Sequence, residues 1–382
     1  MPCLNEAETL GTCIRKARNA LAELTIAGEL VIADNGSSDG SQEIARRAGA
    51  RVIDVSQRGY GSALRCGMSA ALGRWIIIGD ADDSYDFGSI APFVQKLEEG
   101  YELVMGCRMP RGQGRIMKGA MPWKHRWIGN PVLTFLGRLF FKSTANDFHC
   151  GLRAVTKEAF LKMNLSSTGM EFASEMVMKA AFAKLRVAEV PITLHKDGRS
   201  RPPHLRSWRD GWRHLRFMLL HCPLWLFCVP ALGLFAAGAG FSARLVIGPI
   251  QIGNVGFDTN TLLICAVSIL LGMQLGFFGI FARSFATLAG ILPPSRRLEK
   301  VLSRFSLEAG LVVGVSLMIT GFVILVMALL FWRRAGYGAI SYPHSLRMVI
   351  PGVTSLTLGV QIFFASFFLG LLTIPTPDAR SK

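Results

Sequence analysis

Hydrophobic and polar positions divide this chain into two regimes that meet near residue 216. Ahead of that point short apolar runs alternate with polar, glycine-rich turns, and beyond it come apolar stretches of bilayer-spanning length. Leu10, Ile14, Ala17 and Leu21 follow Asn5-Glu6-Ala7-Glu8 at helical spacing and predict a capped amphipathic helix. Residues 29–33 predict a strand that ends in the loop Asp34-Asn35-Gly36-Ser37-Ser38-Asp39-Gly40. A helix over 41–48 and a strand over 51–55 come next, and the turn Gln57-Arg58-Gly59-Tyr60-Gly61 leads into a helix running to Leu72. A strand from Trp75, a helix over 90–98 and a strand over 102–106 complete the alternation. Strands and helices alternating at this length predict an α/β domain built on a mostly parallel sheet covered by helices.

In the second regime, the stretches 217–241, 261–282, 309–332 and 348–372 each approach the ~20 residues a bilayer core requires. They predict an α-helical membrane domain of about four spans. Pro223, Pro230 and Pro351 fall near span ends or in first turns, where a helix tolerates them. Arg283, Arg296, Arg297, Lys300 and Arg304 lie between the second and third spans, against Arg244 alone after the first. That bias puts this loop in the cytoplasm, together with the N-terminal domain and the C-terminal tail, although Arg333, Arg334 and Arg347 in the outer loop run against it.

With 51% hydrophobic residues over 382 positions, the chain is too apolar to be wholly soluble. Its net charge of +16 does not point to nucleic acid once its distribution is considered. One basic run holds Arg108, Arg111, Arg115, Lys118, Lys124, Arg126, Arg138 and Lys142 with no acid among them, and a second, Lys196, Arg199, Arg201, Arg206, Arg209, Arg213 and Arg216, leads into the first span. Basic residues beside a membrane attract anionic head groups at about 1 kcal/mol each. The eight cysteines show no C-x-x-C pair, which predicts reduced thiols. The chain opens on a polar helix start and not on a signal-peptide pattern.

Candidate chemistry centres on the apolar strand Trp75-Ile76-Ile77-Ile78, which stops at Gly79-Asp80-Ala81-Asp82-Asp83. In an open α/β sheet ligands bind at the carboxyl ends of strands. Two aspartates one residue apart suit a divalent cation that holds a diphosphate, because Mg²⁺ takes one or two carboxylates and completes its shell with phosphate oxygens and water. At the front, a loop such as Pro2-Cys3-Leu4-Asn5-Glu6 needs a strand to leave from, and no residues stand ahead of it to build one. Either the start lies upstream or the sheet lacks a strand.

Several motifs occur in order: Pro2-x-x-Asn5-Glu6, Asp34 through Asp39-Gly40, Asp80-Ala81-Asp82, Gly106-Cys107-Arg108, Asp147-x-x-x-Gly151-Leu152-Arg153, then a basic segment and membrane spans. Together they resemble the inverting family 2 glycosyltransferases with a Rossmann-like GT-A fold, most closely the polyprenyl-phosphate glycosyltransferases of the dolichyl-phosphate mannose synthase type. The resemblance covers about residues 1–216. It implies a cytoplasmic GT-A domain over 1–195, a basic juxtamembrane amphipathic helix over 196–216 and a multi-pass membrane domain over 217–382.

The resemblance also implies roles. Pro2 and Glu6 match the loop around base and ribose, although Glu6 also suits the first turn of a helix. Asp34 matches the aspartate that reads the base edge, with Asn35 and Asp39 left to close an Asx-type turn. Asp80 would contact ribose or metal, and Asp82 would be the main ligand of Mg²⁺ or Mn²⁺. Where mannose synthases often carry Gln two residues after the second Asp, this chain has Ser84, and Asp83 is a possible extra ligand. Arg108 matches an arginine that holds acceptor or donor phosphate, a task its planar fork suits. Asp147, Gly151 and Arg153 match the loop closing over the sugar, and Lys196, Ser200 and Arg201 align with a basic segment near the diphosphate.

A phosphate monoester acceptor arrives largely ionised, with a second pKa of about 6, so no strong base is required. The enzyme then has to align phosphate and anomeric carbon and to stabilise the departing diphosphate. A hydroxyl acceptor needs a base, for which Asp147 is the candidate the motifs offer. Two helical patterns supply a route from the bilayer: Val132, Phe135 or Leu136, and Leu139 behind Asn130-Pro131, and Leu205, Trp208, Trp212, Leu215 and Leu219 beside Arg206, Arg209, Arg213 and Arg216. Core packing and ordinary membrane anchoring are the competing readings of these helices.

The sequence therefore predicts transfer of a sugar from a nucleotide sugar (a UDP-sugar or GDP-mannose) to a membrane polyprenyl phosphate. The alternatives are a polysaccharide or glycolipid synthase using a hydroxyl acceptor, a transporter with a nucleotide-binding head, and an inactive nucleotide-binding scaffold. No glutamine begins the Q-x-x-R-W signature of processive synthases, and Gln274 is almost alone as a polar mid-span residue, which opposes transport. The many glycines of the spans are compatible with a homo-oligomer.

Overall fold

A computed structural model describes residues 1–201, 207–294, 300, 306–372 and 374. Contacts divide the chain into two units, Met1–Met218 and Leu219–Lys382.

In the first unit, β1 (Pro2–Cys3), β2 (Val31–Asp34) and β3 (Arg51–Asp54) form a parallel sheet in which Pro2 faces Ala33 and Ala33 faces Ile53. The opening residues thus do build a strand, two residues long, and the Met1 ammonium donates to Val31 O at 2.8 Å. A cavity of about 690 Å³ lined by Met1, Ile32, Ile76, Ile78, Leu64 and Met68 lies between β2 and β4 (Trp75–Ile78). Three helices connect these strands: α1 (Leu10–Glu23), α2 (Ser41–Arg47) and α3 (Tyr60–Ala70). The first begins later than its sequence pattern suggests. Glu6 O instead accepts from Thr9 N and Leu10 N, Asn5 takes a positive φ of 58°, and residues 5–8 stay in the loop.

The second sheet runs β4, β7 (Arg153–Thr156), β5 (Leu103–Cys107), β8 (Val187–Pro191). β5 and β8 are parallel, as are β6 (Arg115–Ile116) and β9 (Thr193–Leu194), but β7 runs against both its neighbours. The mostly parallel sheet is therefore found, with one reversal that has a consequence for the site. Arg153 pairs with Ile78 and Met105, so the start of β7 lies beside the carboxyl ends of β4 and β5. Loops 79–86, 108–114 and 147–152 consequently meet at one edge. Phe93 of α4 (Ala91–Glu98), Val104, Ala154 and Val190 belong to the core beneath them.

Around this frame stand α5 (Asn130–Phe141), α6 (Lys157–Met163), α7 (Phe172–Phe182) and α8 (Ser207–Leu220). Both amphipathic patterns point differently from a core-packing helix. In α5, Thr134, Gly137 and Phe141 are buried, whereas Val132, Phe135 and Leu139 are exposed. In α8, Asp210, His214 and Met218 are buried and Trp208 and Trp212 are exposed. Leu205 and Arg206, like Arg296, Arg297 and Arg304, lie outside the described residues.

The second unit holds four apolar helical segments long enough to cross a membrane: Leu224–Leu245, Thr259–Leu288, Leu307–Arg334 and Tyr342–Leu372. The first starts later than expected, because residues 217–220 complete α8 and a break precedes Pro223. The last starts earlier, so Pro351 lies inside the helix and not in its first turn. Small residues set the packing of the last two: a Cβ on Gly359 would stand 2.6 Å from Gly314 O, and one on Gly321 would stand 2.6 Å from Gly352 O. No disulfide joins cysteines among the described residues.

Candidate active site

Two polar loops interlock to make the first wall. Asp34 Oδ2 accepts from Gly36 N, Ser37 N and Gln42 Nε2 at 2.7–3.0 Å, so Asp34 closes an Asx-type turn, and Asp39, whose Oδ1 accepts from Ser41 N at 3.0 Å, closes another. Asn35 instead donates to Val55 O and Gln57 O and accepts from Gly59 N. Ser37 Oγ and Ser41 Oγ accept from Asn5 N and Glu6 N, and Asp39 Oδ2 accepts from Ala7 N. The serine-rich sequence thereby fixes loop 4–8 against loop 35–41 through side chains short enough to reach backbone N–H groups. Burial opposes charge on Asp34, but the bonds from Ser37, Gln42 and Gly36 hold its carboxyl below the usual range. Its Oδ1 is buried with no partner among the described residues.

The second wall is the D-x-D turn. Thr9 Oγ1 donates to Ala81 O at 2.7 Å and ties this turn to the start of α1. Tyr60 Oη donates to Asp80 Oδ1 at 2.8 Å. Burial and the neighbouring Asp82 charge push the Asp80 carboxyl up to about 6, against the bond from Tyr60 and the charges of Arg199 and Arg108. Asp82 Oδ1 accepts from Ser84 N and Ser84 Oγ, while Asp82 Oδ2 takes Arg199 Nη2 at 2.6 Å. Asp83, at a φ of 60°, turns away to Lys16 on α1 at 2.8 Å. It does not join Asp80 and Asp82 as a third ligand in this conformation.

Segment 195–201 crosses in front of these carboxylates. Its backbone is held by His195 N to Ser84 O and Gly198 N to Asp82 O, and by Ser200 bonded through N and Oγ to Glu8. Arg201 donates to Leu4 O and Asn5 O and lies 3.1 Å from Glu6 Oε1. Arg199 bridges Asp82 and Glu6, its Nε 3.0 Å from Glu6 Oε2 as an ion pair without hydrogen-bond alignment. Burial raises the Glu6 carboxyl, with Arg199 and Arg201 opposing. Glu6 is thus a buried carboxylate facing two arginines and not a helix-start charge. Lys196 is exposed on the same segment, and Pro2 stands in β1 and lines the apolar cavity, so neither joins the carboxylates.

The third wall departs most from expectation. Arg108 and Asp147 form a buried bidentate pair, Nε to Oδ2 at 2.7 Å and Nη2 to Oδ1 at 2.8 Å, and Arg108 N donates to the same carboxylate at 3.0 Å. Burial opposes ionisation of Asp147, but Arg108 and the N–H of His149 hold its carboxyl below the usual range. That makes it a poor base. Arg153 directs its guanidinium to the carbonyls of Cys150, Phe148 and Ala173 at 2.6–2.9 Å, so it braces loop 147–152 from inside. Tyr85 Oη accepts from Arg108 Nη1 and Gly151 N and joins this wall to the D-x-D turn. Gly151 is required there because a Cβ would stand 2.5 Å from Asp80 Oδ2.

The fold therefore gathers Glu6, Asp80, Asp82, Arg199 and Arg201 at one mouth, with Asp34 in its floor and Arg108–Asp147 beside it. Sequence reasoning missed Arg199, Tyr60 and Tyr85. Arg199 sits in a run of seven basic residues and nothing in the spacing singles it out. A divalent cation fits this donor set: two carboxylates repel each other strongly enough to raise one pKa, and the guanidinium now on Asp82 shows that the position takes positive charge.

The profile of glycosyl transferase family 2 matches residues 1–163, and that of the glycosyltransferase family 2 C-terminal transmembrane region matches residues 280–373. The low-salt glycan biosynthesis hexosyltransferase of Haloferax volcanii is 35% identical over 97% of this chain and 88% of its own length. The dolichyl-phosphate hexose transferase of the same organism is 30% identical over 50% of this chain and 79% of its own. Among solved structures, glucosyl-3-phosphoglycerate synthase from Mycobacterium tuberculosis, in complex with Mn²⁺, UDP and glucosyl-3-phosphoglycerate, superposes with a TM-score of 0.45 at 20% identity over 58% of this chain and 77% of that one. With its Rossmann-like GT-A domain and apolar helical region, the chain belongs to glycosyltransferase family 2.

Proposed function

We propose that this protein transfers a hexose, with inversion, from a nucleotide sugar to a membrane polyprenyl phosphate, working on the cytoplasmic side of the bilayer. The observation that carries the reading is the Arg108–Asp147 pair. Both oxygens of Asp147, the base candidate the motifs offer, are committed to a buried arginine, so the site favours an acceptor that arrives ionised. A phosphate monoester does so, having a second pKa of about 6. Relatives support the chemistry, since one is a hexosyltransferase of glycan biosynthesis and another a dolichyl-phosphate hexose transferase.

Asp34 receives the base edge through its unpartnered Oδ1, and Glu6 borders the ribose. Asp80 and Asp82 hold Mg²⁺ or Mn²⁺, which when bound supplies positive charge to the departing nucleoside diphosphate. Arg199 and Arg201, which now face carboxylates, are placed to share that charge once donor binds. Tyr60 and Tyr85 keep the aspartate turn and the Arg108 wall in register, which is where the alignment of phosphate and anomeric carbon originates. Exposed Val132, Phe135, Trp208 and Trp212 seat the domain on the lipid surface. Orientation rests on the basic loop between the second and third spans, and Arg347, which counted against it, is paired with Asp258 at 2.5 Å.

The test is radiolabel transfer by the full-length protein from a panel of nucleotide sugars to polyprenyl phosphate. Label should appear in the lipid fraction and vanish in Asp82→Ala. Robust transfer to a hydroxyl acceptor alone would overturn the reading.

A further inference from the structure

Helix α8 turns polar residues inward. His214 Nδ1 lies 2.9 Å from Ser174 Oγ on α7, and the same hydroxyl lies 3.4 Å from Nε2 of His149. The two imidazoles meet edge to face, 4.5 Å between centroids at 82°. His149 belongs to loop 147–152, and its backbone N–H donates to Asp147 Oδ1 at 3.3 Å. Further ties of this loop come from elsewhere: Arg108 holds Asp147, Glu189 accepts from Asp147 N, Thr134 Oγ1 accepts from Phe148 N, Tyr85 holds Gly151, and Arg153 holds the carbonyls of Phe148 and Cys150.

We infer that His149, Ser174 and His214 form a latch through which the seating of helix α8, the last helix before the membrane spans, sets the position of the Asp147–Arg108 pair. In this arrangement His214 touches no substrate and is a positioning residue. The proton count fits. Ser174 Oγ carries one hydrogen, so it donates to one imidazole and accepts from the other when both are neutral, while His149 Nδ1 is left buried with no partner among the described residues. Burial keeps them so, pushing His149 well below its ordinary range and His214 down to about 4. Ser174 is buried and, with the half-buried His149, lies against His214 of α8, so a shift of that helix breaks the hydrogen bond or moves the loop. A lipid-facing helix thereby acquires a mechanical link to the wall on which the acceptor is received. The kinetic consequence rests on the proposed transferase reading, but the latch itself does not.

The test uses full-length protein in lipid nanodiscs. Three variants are compared: His214→Leu, which removes the hydrogen bond; His214→Asn, whose amide can restore a contact at the Nδ1 position; and Ser174→Ala, which deletes only the bridging hydroxyl. Hydrogen exchange of the amides at 148–152 should quicken about tenfold in His214→Leu and Ser174→Ala, return to within threefold in His214→Asn, and leave the amides of α1 and β2 unchanged. In transfer assays the KM for lipid phosphate should rise about tenfold with the nucleotide-sugar KM unmoved. Equal behaviour of the Leu and Asn variants, or exchange quickened throughout the first unit, overturns the latch. If the loop-specific exchange pattern holds while wild type transfers nothing to polyprenyl phosphate, the functional reading fails and the latch stands.

Discussion

Replacing Arg199 by methionine isolates the contact that now occupies the aspartate turn. In the structure a divalent cation must displace Arg199 Nη2 from Asp82 Oδ2, 2.6 Å away in a side chain only 10% exposed. A bare Coulomb estimate for unit charges at ~4 Å and an effective dielectric of 20 is about 4 kcal/mol. The displaced guanidinium regains water, so the net strength of a charge-assisted hydrogen bond, about 1.5–3 kcal/mol, is the better measure. Since 1.4 kcal/mol is tenfold, Arg199→Met should tighten Mn²⁺ binding by about 10- to 100-fold in the absence of nucleotide. Methionine keeps most of the stem, and the contacts of Ser200 with Glu8 and Arg201 with Glu6 retain the segment. Titration of full-length protein with Mn²⁺, followed by electron paramagnetic resonance of the free ion, reads the constant directly, with Asp82→Ala as background. An unchanged or weaker affinity would show that Arg199 does not compete for this position. With donor present the sign should reverse, because the guanidinium then loses a diphosphate partner.

Four further outcomes follow from the same geometry. Asp80 has a folded pKa of about 6 against an ordinary 3.8, so Mn²⁺ affinity should fall about tenfold per pH unit below 6; the proton is bound more strongly in the folded state, so metal-free protein should gain stability as pH drops from 6 towards 4. Tyr60→Phe removes a donor that favours the ionised carboxylate, and a pH series of Mn²⁺ binding should show its acid limb displaced upward. Gly151→Ala sets a methyl group 2.5 Å from Asp80 Oδ2 and should lower Mn²⁺ affinity at least tenfold, a loss that native affinity in the variant would contradict. Asp147→Asn leaves the Arg108 cation buried without its charge partner, which costs about 3–5 kcal/mol, so thermal unfolding should shift down together with activity. Lost activity at unchanged melting temperature would mark Asp147 as a base after all.

Local pattern was enough to read most strands and helices as far as β5, with β1 and the start of α1 as exceptions, and to locate four spans. Both depend on periodicity and length, which are properties of neighbouring residues. The strand that ends at Asp80 and Asp82 was legible for the same reason. Tertiary packing decided what the motif residues do. Arg108 and Asp147 are 39 positions apart and pair only because β7 runs antiparallel and returns its loop to the ends of β4 and β5. Arg153 matched the loop closing over the sugar, and burial gives it three carbonyls to satisfy. Arg199 looked like one basic residue of a run, but it reaches across 117 positions to Asp82. His214, on a helix whose aromatic stripe pointed to the membrane interface, faces inward while Trp208 and Trp212 face out. Sequence alone thus determined the elements and the kind of chemistry available. The partner of each charge was set by burial, which compels every enclosed ionic group to find a counter-charge or a carbonyl at whatever distance along the chain the fold provides one.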